Sequence, residues 1–193
     1  MAKDISKDIL QAALHEISKY GADFHMDDLA KNLHISKRTL YEHFSSKQEI
    51  VRAAFISVQD ELYEQHLQIL ENPNISAEEK LIGYFQVKSP RVAVMTVREM
   101  NALLAKMPDV RSELLARSRR DWQLLQRFFE VAQESDAFRH FHTPLLMHML
   151  QGAVNDILDH LHATERDYSY PEYMEECIRI ILYGIKRQGA NDK

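Results

Sequence analysis

The chain has 193 residues, a formal net charge of −5 and a single cysteine, Cys177. This length is ample for a buried core and allows a small domain joined to a larger one. The lone cysteine excludes a disulfide framework and an ordinary cysteine-based zinc site. No apolar run reaches the roughly 18 residues of a membrane span, and the first twenty residues lack a signal-peptide pattern. These features predict a soluble cytoplasmic protein, and its acidic balance argues weakly against nucleic-acid binding.

Five glycines and five prolines are few for this length, and apolar residues recur at a spacing of three to four between them. Alternating, glycine-bounded strand patterns are almost absent. This combination predicts an all-α fold of about nine helices. The predicted helices cover residues 5–20, 27–33, 37–44, 47–71, 77–87, 90–106, 109–135, 144–163 and 171–188.

The first three predicted helices are short and closely spaced, whereas the later ones are long. Gly21 suits the end of the first helix, and Ser36 suits the N-cap of the third. Leu40 and Phe44, one turn apart, face inward from the third helix. Two short helices braced by an earlier one form a helix-turn-helix unit. This change in helix length predicts two domains, a helix-turn-helix domain at 1–47 and a larger helical domain at 48–193.

The third helix leaves a polar set outside its buried edge. Lys37, Arg38, Tyr41 and His43 project from the other faces, which is the set that a DNA recognition helix needs. The forked guanidinium of Arg38 suits guanine. The start of the following helix, with Lys47 beside it, is a second candidate phosphate site.

The positive charge is local. Residues 1–51 hold seven Lys or Arg against eight Asp or Glu, but residues 34–47 hold three cations against Glu42 alone. A short basic surface suits a groove-facing helix better than a non-specific polycation. By charge alone, a solvated helix face is an equal alternative.

A series of short motifs runs through this region in order. They are Leu29-Ala30, Ile35-Ser36, Thr39-Leu40-Tyr41, His43-Phe44 and Ser46-Lys47. The stretch from Asp8 to Val51 thereby closely resembles the DNA-binding domain of the tetracycline-repressor (TetR) family. The resemblance implies DNA-backbone contacts for Ser36, Lys37, Thr39, Tyr41, His43 and Lys47, and it places Lys37 and Arg38 where bases are most often read.

Three residues depart from the family pattern. His25 stands where Thr or Ser usually caps the second helix, which predicts a weaker cap. His34 replaces the common glycine of the turn, which requires a non-glycine residue at positive φ. Arg38 replaces a small residue, so its base preference cannot be taken from relatives.

Such families combine a uniform DNA reader with a divergent helical body that senses a ligand and dimerises. Helices 144–163 and 171–188 each carry two apolar stripes, which predicts burial on two sides. We interpret them as half of an intersubunit four-helix bundle in a homodimer; central helices of a monomer are the alternative. Gly152 and Gly184 within them suggest close helix approach.

The middle helices are predicted to hold a pocket for a small-molecule effector. Tyr84 and Trp122 are the ligand-contact candidates, chosen from a wider set of Met and aromatic residues. Ordinary core packing is the alternative for every member of that set.

Five histidines crowd the C-terminal third, and Asp156 and His160 are one helical turn apart. No His-Glu-x-x-His motif accompanies them, so solvated histidines are favoured over a metal site. No catalytic set and no cofactor site is found. We therefore predict a ligand-responsive regulator, with repression as the expected action, that binds a palindromic double-stranded operator as a dimer. The alternatives are a helical-bundle metalloenzyme and a family member that acts through protein partners without DNA.

Overall fold

The computed structural model describes residues 5–89, 91, 102–160 and 170–184, and for residues 157–160, 170 and 171 the backbone alone. Eight α-helices and no strand occur in these ranges, which confirms the all-α prediction. A short 3-10 helix, Gly21–Asp23, follows the first, and residues 102–105 are also helical. The helices are α1 Ser6–Tyr20, α2 Met26–Asn32, α3 Lys37–His43, α4 Lys47–Glu71, α5 Ala77–Gln86, α6 Pro108–Glu134, α7 Thr143–His160 and α8 Tyr170–Tyr183.

The predicted helix at 90–106 lies mostly outside the described residues, as do 161–163 and 185–188 of the last two. Elsewhere the predicted and observed ends differ by no more than two residues. Gly184 is a correction, because α8 ends at Tyr183 and Gly184 follows at φ 72°. There the glycine relieves the strain of a left-handed residue rather than allowing close helix approach.

The chain divides into two compact units. Unit 1 comprises 1–65 and 88–124, and unit 2 comprises 66–87 and 125–193. Two long helices, α4 and α6, contribute residues to both units. The functional division at residue 47 stays a prediction, since compactness does not report which residues read DNA or sense a ligand.

Unit 1 is built around an apolar cluster that joins α1, α2, α3 and the first part of α4. Residues from 103 to 114 belong to the same cluster. Its fully buried members include Ile9, Ala13, Leu29, Leu40, Ile50, Val51 and Leu103. Burial of one leucine, isoleucine or valine side chain is worth about 1.5–3 kcal/mol, so this cluster holds the short helices in place.

Ion pairs connect α4 to α6 within unit 1. Arg52 donates to both carboxylate oxygens of Glu113, from Nε at 2.5 Å and Nη2 at 2.8 Å. One turn or more further along, Arg117 donates to Asp60 at 2.7 Å. Paired charges at two levels fix the register between the helices, in the two-pronged geometry that suits arginine.

Unit 2 packs α5 against α8. Ser76 and Glu79 form a capping box at the start of α5, and Gln86 near its end donates to Glu175 of α8 at 2.8 Å. A Cβ built on Gly152 of α7 would meet no described atom within 4 Å apart from the neighbouring backbone of its own helix. Among the described residues of one copy, no other element therefore approaches that glycine closely. No helix of the described chain is long and apolar enough to cross a membrane.

Candidate nucleic-acid interface

The turn that leads into α3 is closed by a residue in the left-handed region. His34 has φ 53° and is solvent-exposed. Its N–H donates to the Lys31 carbonyl, and the Ile35 N–H donates to the Ala30 carbonyl, both at 3.0 Å. These are the two hydrogen bonds of a Schellman motif, which normally places glycine at that position. The prediction of a positive φ at His34 is therefore confirmed.

The helix α3 begins at a side-chain cap. Ser36 Oγ accepts a hydrogen bond from the Thr39 N–H at 3.0 Å, as predicted for an N-cap. Leu40 is fully buried and Phe44 nearly so, which fixes the rotation of α3. By contrast, His25 at the start of α2 makes no side-chain cap bond, as its departure from the family pattern predicts.

This rotation leaves most of the predicted DNA contacts of α3 exposed to solvent. Lys37, Arg38, Tyr41 and His43 are exposed, and Tyr41 retains 49% of its accessible surface. His43 Nδ1 lies 3.2 Å from the Ser6 hydroxyl, so the end of α3 is tied to the start of α1. The surface can offer cations, a phenol and an imidazole to a groove, the groups that bind phosphates and base edges.

Each cation of residues 34–47 is engaged by a group of the same chain. Lys37 pairs with Asp27 at 2.5 Å, and Arg38 pairs with Glu42 at 2.9 Å. Both pairs are exposed, so their attraction is screened by solvent and adds little stability. Sequence reasoning did not identify Asp27 and Glu42 as the partners of these two cations. The spacing of four residues on one helix could have indicated Glu42, whereas no sequence signal links Asp27 to Lys37.

Lys47 has a structural contact as well as its predicted DNA contact. Its ammonium donates to the carbonyls of Ala22 and Phe24, each at 2.5 Å, and lies 4.3 Å from the centre of the Phe24 ring. Burial lowers the pKa of Lys47 below its usual range. Two of its three donors thus anchor the segment between α1 and α2, and one donor remains for a phosphate oxygen.

The start of α4, predicted as a phosphate site, carries a carboxylate of its own. Glu49 accepts from the Ser45 N–H and hydroxyl, both at 2.6 Å, and its own N–H donates to Ser46 Oγ at 3.1 Å. The hydrogen bonds from Ser45 lower the pKa of Glu49. An approaching phosphate would therefore meet a negative charge beside Lys47.

Unit 2 contains a cavity of about 400 Å³. A volume of this order suits a small organic ligand. The walls are largely apolar, with Arg139 and His142 as the two basic groups. The lining residues are Leu81, Phe129, Ala137, Phe138, Arg139, Phe141, His142, Leu145, Leu146, Met149, Ile181 and Leu182.

A buried amide fixes the segment 135–142 beside this cavity. Gln133 donates to Thr143 Oγ1 and accepts from the Phe141 N–H, both at 2.8 Å. Two of the wall residues, Phe129 and Phe141, meet edge to face with their ring centres 5.7 Å apart. The amide and the rings hold one wall of the cavity in shape.

The two predicted ligand contacts lie elsewhere. Tyr84 is buried and stacks on His66 of the same unit at 4.1 Å between ring centres, and Trp122 of unit 1 is half-buried. Neither lines the cavity described above. The described residues contain no group of three metal-ligating side chains; the side chain of His160 and all of His162 lie outside them.

Comparison with known proteins points to one family. Residues 9–54 match the family model of bacterial regulatory proteins of the tetR family. An uncharacterised HTH-type transcriptional regulator of Bacillus subtilis, YvaF, is 25% identical over 181 residues, which cover 94% of this chain and 95% of that protein.

Solved structures share the fold across nearly the whole chain. A regulator from Saccharomonospora viridis in complex with choline has a TM-score of 0.74 at 17% identity, covering 93% of this chain and 96% of that one. The regulator FadR from Bacillus subtilis in complex with stearoyl-CoA has a TM-score of 0.70 at 17% identity, covering 93% and 99%. The fatty acid degradation regulator FadR from Bacillus halodurans has a TM-score of 0.72 at 18% identity, covering 97% and 100%.

Proposed function

Because the chain belongs to the TetR family of DNA-binding transcriptional regulators, which are not enzymes, we propose that it acts as a repressor on a palindromic operator. The observation that carries this proposal is the exposed polar surface of α3, held by the Ser36 cap and the buried Leu40. The contact residues of the proposal are Ser36, Lys37, Arg38, Thr39, Tyr41, His43 and Lys47. We assign the reading of DNA to residues 1–47 and ligand sensing and dimerisation to 48–193.

The operator is proposed to be palindromic because two copies of α3 must enter successive major grooves about 34–36 Å apart. Selection of bound DNA from random oligonucleotides tests this directly. We expect two inverted half-sites whose centres are separated by one helical turn. Recovery of no preferred sequence, with affinity that depends on salt alone, would contradict the proposal and favour a family member that acts through protein partners.

The proposed homodimer uses α7 and α8. Leu145 and Met149 of α7 are 57% and 55% exposed, and Ile180 of α8 is 44% exposed. Together with the open surface over Gly152, these apolar side chains give each helix a face that the described residues of its own chain leave uncovered. A second copy of the same pair of helices would cover it in a two-fold arrangement.

Analytical ultracentrifugation of the full chain measures the proportion of dimer and monomer in solution. Ile180→Glu places a charge on the apolar face of α8, away from the cavity walls, and is expected to shift the protein toward monomer and to weaken operator binding. The control is Gln123→Glu on the exposed part of α6, which adds the same charge elsewhere. Equal dimerisation of both variants would contradict the use of this face.

We propose further that the cavity of unit 2 binds the effector. Its apolar walls and Arg139 suit a ligand with a hydrocarbon part and an anionic group. The complex of one similar regulator with stearoyl-CoA supports an acyl compound as the first candidate. The contacts of Tyr84 and Trp122 with a ligand stay predictions, since these residues lie outside the cavity walls.

An effector weakens operator binding only by its differential affinity for the two states of the dimer. Titration of the protein–operator complex with acyl-CoA, free fatty acid and choline, followed by fluorescence anisotropy, tests the ligand class and its effect on operator binding together. Arg139→Gln should lower the effect of an anionic ligand, whereas Arg127→Gln, on an exposed arginine of α6 that does not line the cavity, should leave it unchanged. An equal response of the two variants would place the effector elsewhere.

A further inference from the structure

Arg38 and Glu42 form a hydrogen-bonded pair on the exposed surface of α3. Arg38 Nε donates to Glu42 Oε1 at 2.9 Å, and the two residues are one helical turn apart. The Arg38 side chain is 89% exposed. The carboxylate therefore holds the guanidinium from its side, and the two terminal amino groups stay open to solvent.

The nitrogen that Glu42 engages decides which donors can meet a base. A guanine presents two acceptors, O6 and N7, to the major groove, and arginine reads them with two parallel N–H donors. With Nε held by a carboxylate, the pair of terminal amino groups is the remaining fork. The guanidinium plane is also restrained before DNA arrives, so less rotamer freedom is lost on binding.

We propose that Glu42 is a positioning residue that aims Arg38 at a guanine and thereby sets the base preference of one position in each half-site. This inference rests on the proposed operator binding. Glu42 acts through Arg38 and not on the base itself. Its negative charge also repels phosphates, so its loss should raise affinity for unrelated DNA while it lowers discrimination.

The second acid of the surface provides a matched control. Asp27 pairs with Lys37 at 2.5 Å, and Asp27 and Glu42 are 51% and 59% exposed. Asp27→Asn and Glu42→Gln each remove one negative charge, but only Glu42→Gln changes the residue that pairs with Arg38. The comparison therefore separates the effect of losing a negative charge from the effect of losing the residue that positions Arg38.

The experiment first locates the base pair that depends on Arg38 by comparing sequences selected by wild type and by Arg38→Ala. The measured quantity is the ratio of Kd values between operators that differ at that pair alone. Wild type should give a ratio of roughly 5- to 150-fold, the range of one bidentate contact. Glu42→Ala should reduce the ratio to below about 3-fold and bind unrelated DNA more tightly.

Two conservative variants sharpen the test. Glu42→Asp keeps the charge but is one methylene shorter, so its carboxylate falls short of Nε and the ratio should drop as in Glu42→Ala. Glu42→Gln keeps an acceptor oxygen and should retain an intermediate ratio. Asp27→Asn should keep the wild-type ratio while it also binds unrelated DNA more tightly.

A double-mutant cycle separates positioning from direct reading. Adding Glu42→Ala to Arg38→Ala should change the ratio no further, because Arg38 is the group through which Glu42 acts. A further loss in the double variant would show that Glu42 reads a base itself and would overturn the inference.

Three further results would overturn the proposed role of Glu42, and they differ in what they imply for the proposed function. Wild-type ratios in Glu42→Ala and Glu42→Asp, or loss of preference at every base pair together, would overturn this inference and leave the proposed function in place. Absence of operator binding by wild type would overturn the proposed function and this inference with it.

Discussion

Replacing His34 by glycine should stabilise the chain. His34 closes the turn between α2 and α3 at φ 53°, and its side chain is exposed. Both hydrogen bonds of the turn are made by main-chain groups, from the N–H groups of His34 and Ile35. Glycine can make the same bonds without a Cβ that crowds the following carbonyl.

The size of the gain is the difference between two opposing terms. Removing the left-handed strain of a side-chain-bearing residue is worth about 1–2 kcal/mol. The greater freedom of glycine in the unfolded chain costs about 0.5–1 kcal/mol. The free energy of unfolding should therefore rise by about 0.5–1 kcal/mol, or about 1–4 °C in Tm for a chain of this size.

Urea unfolding followed by the fluorescence of Trp122 measures this change. Trp122 is the single tryptophan and belongs to unit 1, which also contains His34. His34→Ala is the control, since it removes the imidazole but keeps the Cβ. If His34→Gly is no more stable than His34→Ala, the strain assigned to this residue does not exist.

Three further predictions concern the Lys47 contact with the segment between α1 and α2, the cavity wall, and pH. Lys47→Met keeps the aliphatic stem but loses the donors to two carbonyls, so the free energy of unfolding measured by urea denaturation should fall by about 1–3 kcal/mol. An unchanged value would show that these two hydrogen bonds do not stabilise the fold. Gln133→Met leaves the Thr143 hydroxyl without its buried donor, and should cost about 1–3 kcal/mol and weaken ligand binding measured by calorimetry. Hydrogen bonds from Ser76 lower the pKa of Glu79 below 4.5, so its stabilisation is present above that pH and is lost as pH falls through the lowered value. Glu79→Gln, whose amide does not titrate, should flatten the decline in Tm between pH 5 and about pH 3.

The fold followed from the sequence because helical periodicity and capping are local. Ser36 was identified as an N-cap from its residue type and position, and the pattern of one turn placed Leu40 and Phe44 inside. His34 was identified as a strained residue from its place in the turn. Each of these statements depends on neighbours within a few residues along the chain.

The ends of pattern-based helices were less well determined. Gly184 continues the apolar spacing of α8, yet the backbone turns into the left-handed region there. Glycine is compatible with a helix interior and with a helix end, so the spacing of its neighbours cannot decide between them.

The chemistry of the interface depended on more distant neighbours. Lys47 lies more than twenty residues from the carbonyls of Ala22 and Phe24 that it binds, and Lys37 is ten residues from Asp27. These contacts exist because the apolar cluster of unit 1 brings α2, α3 and the start of α4 together. A net charge for residues 34–47 gave no sign that each cation is already paired.

The starting values of length, charge and composition predicted an all-helical chain with a local basic surface, and the ordered motifs indicated its resemblance to the TetR family. Those properties depend on residue types and on short spacings, which can be read directly from a sequence. The tertiary structure alone decided how that surface is arranged, which group binds each cation, and where unit 2 forms a cavity. Such features arise when segments far apart in the chain are packed together, and their contacts depend on distances that no local pattern fixes.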